Sequence, residues 1–446
     1  VSERRLLTGW GGTAPTAAST VSVAAADLPR VVTGSGGRGV IARGLGRSYG
    51  DAAQNAGGTV VLPLPGWYEL DAGRGTVRVS AGTSFHDLMR ELIPRGFFVP
   101  VTPGTRYVTV GGAIAADVHG KNHHRVGALG GQVVELELLG ADGTVRTVGP
   151  GRDLDLFWAT VGGMGLTGVI TSAVLRLLPV ETGQMVVDTE RLDDLDAVLT
   201  RMAESDDAFT YSVAWIDTLA RGRSMGRSVL TRGEHARRED LAGSPRHRAD
   251  VVPHDARVAM PSLLPPHLIS RPTTLAFNEM WFRKAPRRRE GQVQTVAAFF
   301  HPLDGVRHWN RVYGRGGFLQ YQFVVPENED EALRRILGRI SRAGYPSFLA
   351  VLKRFGPGDP GPLSFPMAGW TLAIDLPTSP TLRGFLADLD GLVVASGGRV
   401  YLAKDSRMEP GLLAEMYPRL DEFRAVRARV DPGGVFQSDL SRRLHL

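Results

Sequence analysis

Two stretches of this chain carry residues whose types and spacing suit chemistry on a bound anion and a redox-active ring. The first is Arg43-Gly44-Leu45-Gly46-Arg47-Ser48-Tyr49-Gly50-Asp51; the second runs from Gly112 through Ala116-Asp117-Val118-His119-Gly120-Lys121-Asn122-His123-His124. In the first, glycines remove the Cβ atoms that keep backbone N–H groups from converging on an anion, and two arginines flank the turn. A pyrophosphate needs that arrangement. In the second, a small-residue run ends in three histidines and a lysine, which suit a redox ring and its substrate better than a core. Gly44, Gly46 and Gly50 lack the Rossmann spacing, no apolar-faced helix opens after Asp51, and a Walker loop is absent. Alone, Gly44-Leu45-Gly46 reads more readily as a tight turn, and the downstream segment reverses that reading. Zinc at His123-His124 lacks a third ligand placed by sequence, so no metal is expected.

Short strands at 40–42 and 60–64 would hold the glycine loop, and the alternating run 77–80 leads into a predicted helix at 85–93. Runs 134–139 and 145–148 about Asp142-Gly143 predict a hairpin with a type I′ turn, followed by a strand at 169–178. Pro179 closes this region, and residues 1–183 form the expected first domain. From 184 to 398 the elements lengthen: strands at 211–216, 320–325 and 370–376 and a helix at 329–342 predict a second, substrate-binding domain. Gln320 and Gln322 alternate along a strand and so share a face. Residues 220–272 are rich in Arg, Pro and His with little periodicity, and are expected to be a long mobile loop. Its apolar part, 258–266, is suited to a lipid tail but reads first as plain surface. Residues 399–446 are expected to return to the first domain.

The chain has 446 residues, a formal charge of +6 and 43% hydrophobic residues. Two domains are the natural expectation at that length. A sequence pI near 9.8 permits attraction to anionic headgroups or phosphorylated substrates. Nucleic acid is disfavoured, because the basic residues are dispersed and no finger, KH or RRM signature occurs. Absence of cysteine excludes disulfides, thiolate catalysis and cysteine-ligated metals. No apolar run is long enough to span a bilayer, and the first residues do not read as a secretory signal. The expected location is cytoplasmic, with peripheral contact at the inner membrane compatible with the charge.

Taken in order, Leu7-Thr8-Gly9-Trp10-Gly11, the 43–51 loop, Pro103-Gly104-Thr105-Arg106, the 119–124 run and Phe157-Trp158-Ala159-Thr160-Val161-Gly162-Gly163 resemble the decaprenylphosphoryl-β-D-ribose oxidase family. The likeness continues through Phe318-Leu319-Gln320-Tyr321-Gln322, Leu363-Ser364-Phe365-Pro366, Tyr401 to Arg407 and Ser438 to Leu444, and so covers nearly the whole chain. The resemblance implies an α+β, two-domain FAD-binding fold of the vanillyl-alcohol oxidase/PCMH type, with a substrate domain on an antiparallel sheet. It also implies FAD as cofactor, held noncovalently, because Arg47-Ser48-Tyr49 has no histidine where many relatives carry a covalent one.

By resemblance, the flavin contacts comprise Arg43 to Asp51, Pro103, Gly104, Thr105, Gly112, Ala116, Asp117, His119, Gly120, Asn122, His123, Gly168, Ile170 and Lys404. Lys404 is the first candidate for the base and His119 its competitor; the bland reading of Lys404 is a surface lysine paired with Asp405. Tyr49, Lys121, Trp215, Phe300, Gln320, Gln322, Lys353, Phe355, Thr371 and Ala373 match the substrate wall. Ala373 falls where family members carry a cysteine captured by nitroaromatic inhibitors, Thr371 where they carry asparagine, Phe300 where they carry tyrosine and Val213 where they carry serine. The implied substrate is a polyprenylphosphoryl ribofuranose and the implied partner a separate NAD(P)H-dependent short-chain reductase. Those departures leave a soluble glycoside or nucleoside as the rival substrate, and a flavin-carrying scaffold without turnover as the rival of another class.

Overall fold

In the computed structural model, residues 2–241, 249, 251–261 and 268–446 are described. The β-branched runs flanking the glycine loop form strands, the second shorter than expected: Val40–Ala42 and Thr59–Val61 pair in parallel, and Thr59–Val61 also pairs with Thr16–Val21. Ser2–Leu7 completes this four-stranded sheet on its outer edge. Next to it, Tyr68–Asp71, Thr76–Ser80, Val169–Arg176, Val133–Leu139 and Val145–Val148 make a five-stranded antiparallel sheet. The predicted helix forms as Phe85–Leu92, capped by Ser84, whose hydroxyl accepts from Asp87 N–H, and it buries Phe85, Leu88, Met89 and Leu92.

The hairpin between 133 and 148 is present, but its turn is not type I′. Gly143 is left-handed (φ 78°) and Asp142 is not. The Asp142 carboxylate instead accepts from Thr144 N–H at 3.0 Å and from its hydroxyl at 2.8 Å, which closes the longer loop Gly140–Thr144.

The second region is an eight-stranded antiparallel sheet. Its order is Arg288–Thr295, Gln184–Leu192, Ser228–His235, Tyr211–Ile216, Ala350–Phe355, Gly369–Pro377, Phe318–Pro326 and Arg399–Val400. Helices Asp330–Ala343 and Leu382–Ala395 bury their apolar residues against it. Ser228–His235 falls inside the stretch read from sequence as a mobile loop. Polar residues disguise it: Arg232 is 2% exposed, and its guanidinium donates to Ser205 Oγ at 2.7 Å and Glu190 Oε2 at 3.0 Å. The helix Arg271–Lys284 begins at the last two residues of that stretch, whereas 262–266 of the apolar segment lies outside the described residues.

The last residues bind back to the first region. Val40 N–H donates to Val435 O and Gln437 N–H to Val40 O, while Arg443 forms a two-pronged ion pair with Asp51. No helix among the described residues is long and apolar enough to cross a membrane.

Candidate flavin and substrate site

The two segments singled out by sequence meet at one cavity of about 660 Å³, lined by Arg43 to Tyr49, by Pro103, Gly104 and Thr105, and by Gly112, Ala116, His119, Gly120 and Lys121. Gly168 and Ile170 face it as well. From the large sheet come Val213, Trp215, Gln320, Gln322, Lys353 and Ala373, and beside them Phe300 and Lys404. Sequence reasoning missed Gly82, Thr109 and Met164, and the larger apolar side chains Trp10, Phe277, Trp281, Leu303, Trp309 and Phe348. Of these, Trp10, Leu303, Trp309 and Phe348 stand singly on separate segments, whereas Phe277 and Trp281 are four apart on the helix Arg271–Lys284, a spacing that is the only local signal among them.

In the glycine loop the backbone N–H groups of Gly44, Leu45, Gly46, Arg47 and Ser48 have no acceptor among the described residues and border the cavity. Such a row of amides suits a pyrophosphate. The loop is closely seated: a Cβ on Gly44 would lie 2.3 Å from Thr109 Oγ1, and one on Gly50 would lie 1.9 Å from Asp405 O. Residues 7–11 brace it, since Trp10 N–H donates to Ser48 O and Gly11 N–H to Tyr49 O. The two arginines are not equivalent. Arg43 is a strut, donating to Ala53 O at 3.0 Å and Thr8 O at 2.6 Å. The donor set, the tight loop and the size of the cavity together fit FAD.

Seven residues expected at the site stand behind its wall. Gly50 packs on the backbone of Asp405, and Asp51 is held by Arg443. Asp117 accepts from Gly130 N–H at 3.0 Å and from the Ser364 hydroxyl; burial beside Asp359 pushes it up to about 8. Asn122 donates to Pro100 O at 2.8 Å. His123 is buried against Phe355, ring centroids 4.4 Å apart, and Phe355 in turn backs His119 at 4.7 Å. Thr371 reaches the site only through Gln322. These residues position the lining rather than form it. Among the described residues no group of three His, Asp or Glu side chains could hold a metal.

Three lysines enter the cavity wall, and burial lowers each of them: Lys121 and Lys353 to about 7, and Lys404 to about 8, the last held up by Asp375. Two of them are committed. Lys121 donates to Phe299 O, and Lys353 Nζ lies 3.0 Å from His119 Nδ1. Lys404 Nζ has no hydrogen-bond partner among the described residues and sits 4.2 Å from the centre of the Tyr49 ring. It is not paired with Asp405, whose carboxylate faces Arg443 at 2.8 Å. Tyr49 and Lys404 are brought together by the bond from Tyr49 N–H to Ala403 O. Near them Gln320 donates to Asp375 Oδ1 at 2.5 Å, and burial pushes Asp375 up to about 7.

His119 is occupied at both ring nitrogens. The Thr371 hydroxyl donates to Phe323 O at 2.8 Å and can therefore only accept from Gln322 Nε2, at 3.3 Å. The same amide nitrogen faces His119 Nε2 at 2.9 Å, so it donates there too. The ring proton is left on Nδ1, pointing at Lys353. Burial holds His119 well below the usual imidazole range, so the ring is neutral. The chain Thr371–Gln322–His119–Lys353 thus favours a neutral Lys353 and leaves His119 no lone pair for a substrate proton.

Residues 25–149 match the family model described as FAD binding domain, and residues 324–444 the one described as D-arabinono-1,4-lactone oxidase. The chain is 46% identical to decaprenylphosphoryl-beta-D-ribose oxidase of Mycolicibacterium smegmatis, over 99% of this chain and 97% of that protein. More distantly, it is 24% identical to L-gulono-1,4-lactone dehydrogenase of Mycobacterium tuberculosis, over 94% of both chains. It is also 31% identical to alditol oxidase of a Streptomyces species over 43% of this chain and 46% of that one. An FAD cradle, an antiparallel substrate sheet and near-complete coverage by one relative agree: the chain belongs to the decaprenylphosphoryl-β-D-ribose oxidase family of FAD-dependent oxidoreductases.

Proposed function

We propose that this chain oxidises the C2′ hydroxyl of a polyprenylphosphoryl ribofuranose to a ketone, the first half of an epimerisation to the arabinose form used for cell-wall arabinan. The observation that carries the reading is the placement of Lys404, the cavity lysine with no protein partner for its amine among the described residues, beside Tyr49, Gln320 and Asp375. FAD, when bound, accepts the hydride from the carbinol carbon. The protein's part is to take the hydroxyl proton, and an amine lowered to about 8 is available as a free base near neutral pH. Tyr49 covers Lys404 with its ring, and Gln320 and Gln322 stand on the same strand face to orient sugar hydroxyls.

An apolar mouth of Phe277, Trp281, Leu303 and Phe348 favours a lipid-linked sugar over the soluble glycosides that Phe300, Thr371 and Ala373 would admit. The sequence holds no nicotinamide-binding fingerprint, so return of hydride to the opposite face is assigned to a separate NAD(P)H-dependent reductase. The purified protein mixed anaerobically with a panel of ribosides tests the reading. Polyprenylphosphoryl ribofuranose is expected to bleach the flavin fastest. Bleaching by a soluble nucleoside but not by the lipid-linked sugar would transfer the reading to the rival substrate class, and no bleaching at all would leave a binding protein.

FAD is proposed to be noncovalent, since Arg47-Ser48-Tyr49 offers no imidazole for a ring linkage. Acid precipitation is then expected to leave all of the yellow fluorescence in the supernatant. Flavin retained in the washed pellet would contradict this.

A further inference from the structure

We infer that Arg47 is the clamp for the substrate's phosphate, set between the polar end of the cavity and its apolar mouth; the inference rests on the lipid-linked sugar proposed above. Unlike Arg43, Arg47 donates no hydrogen bond to a described residue, and its Nε is buried without a partner. The guanidinium carbon lies over the Trp10 ring, 3.9 Å from the centroid, with the Tyr107 centroid at 5.5 Å. Stacking of this kind fixes the plane of the fork while leaving its edge free for an anion.

The carboxylate whose charge acts on Arg47, Asp304, is already satisfied. It accepts from the Thr105 hydroxyl and Arg106 N–H, both at 2.8 Å, and makes no ion pair with Arg47 within 4 Å. A half-buried arginine without a bonded counter-ion is costly, and a phosphodiester oxygen would relieve that cost with charge-assisted hydrogen bonds. Position then selects the ligand. Arg47 is two residues from Tyr49, whose ring covers Lys404, and its stacking partner Trp10 touches Trp309 at 6.0 Å. Arg47 lines the same cavity as Lys404 and Gln320, which would meet the sugar, and as Trp309, Leu303, Phe277 and Trp281, which would meet an apolar chain. A sugar, a phosphate and an apolar chain in that order would place the phosphate at Arg47.

The test uses the FAD-loaded protein with farnesylphosphoryl-β-D-ribofuranose and with the phosphate-free farnesyl β-D-ribofuranoside. Arg47→Gln is expected to raise KM for the phosphorylated sugar about 10- to 100-fold, the scale of a hydrogen bond to a charged group, with kcat little changed. KM for the phosphate-free sugar should stay within about twofold, and the flavin content per chain should equal that of the wild type. Arg47→Lys, which keeps charge but not the fork, should fall between. Equal losses for the two sugars would make Arg47 a general positioning residue, and loss of flavin would make it a pyrophosphate ligand; either overturns the clamp. Farnesyl phosphate binding, read by the flavin difference spectrum, separates this inference from the function. If wild type binds it, Arg47→Gln does not, and neither sugar is oxidised, the clamp stands and the proposed reaction fails. Binding unaffected by Arg47→Gln overturns the clamp.

Discussion

Lys404→Ala is expected to retain FAD at one per chain and to lose sugar-dependent flavin reduction by about 10²-fold or more, the usual scale for a positioned acid or base. Lys404→Arg should be little better, because arginine keeps the charge but cannot give up its proton near neutral pH. The pH dependence carries the sign of the argument. Lys404 must be neutral to accept the hydroxyl proton, so the rate of flavin reduction should rise with pH through about 8 and then level off. Asp375 acts against burial, holding the Lys404 value up. Removing that charge in Asp375→Asn should move the rising limb to lower pH. Stopped-flow bleaching across pH 6–10 checks both statements. A wild-type rate in Lys404→Ala would return Lys404 to a structural role and leave the site without the proposed base, since the lone pairs of His119 and Lys353 are already engaged in the Gln322–His119–Lys353 chain.

Gly50→Ala is expected to cost about 3 kcal/mol, the upper end for overpacking, and to release the flavin. A methyl group there would meet Asp405 O at 1.9 Å and Ser406 Cβ at 2.8 Å, and the first of these is backbone that cannot rotate away. The clash pushes apart the contact that seats Tyr49 beside Lys404, so cofactor retention and stability should fail together. Gly391→Ala is the control. Gly391 lies inside the helix Leu382–Ala395, a methyl group there would meet nothing within 4 Å, and the change should be neutral or stabilise by about 0.5–1 kcal/mol. Thermal unfolding followed by flavin fluorescence reads both variants. An unchanged transition in Gly50→Ala would mean that the loop is less closely seated than its geometry requires.

What could be read from sequence was chemistry confined to a contiguous segment. The glycine loop is one local turn, and the 112–124 run spans the end of the helix Val110–Ala115 and the start of the short helix His123–Val126; both line one cavity, and the resemblance named the rest in order. Pairing across distance was harder to see. Ser228–His235 reads as loop because Arg232 interrupts its pattern, although its charge is paired with Glu190 inside the sheet. The roles of Arg43 and Arg47 were inseparable by type or spacing, since one is a strut and the other is free only by virtue of where Thr8, Ala53 and Trp10 lie. His119 looked like a base until both of its nitrogens were accounted for by residues more than 200 positions away. In the aromatic mouth only Phe277 and Trp281 share a helical spacing, and Leu303 and Phe348 come from separate segments.

Whether this cavity removes hydride from C2′ of a lipid-linked ribose while Lys404 takes the proton is decided by anaerobic flavin reduction with polyprenylphosphoryl ribofuranose deuterated at C2′. Bleaching is expected to be several-fold slower than with the protiated sugar, with a C2′ ketone as product. Bleaching at the same rate with the C2′ deuterium kept in the product, or no bleaching by a protein that holds its full complement of FAD, would contradict it.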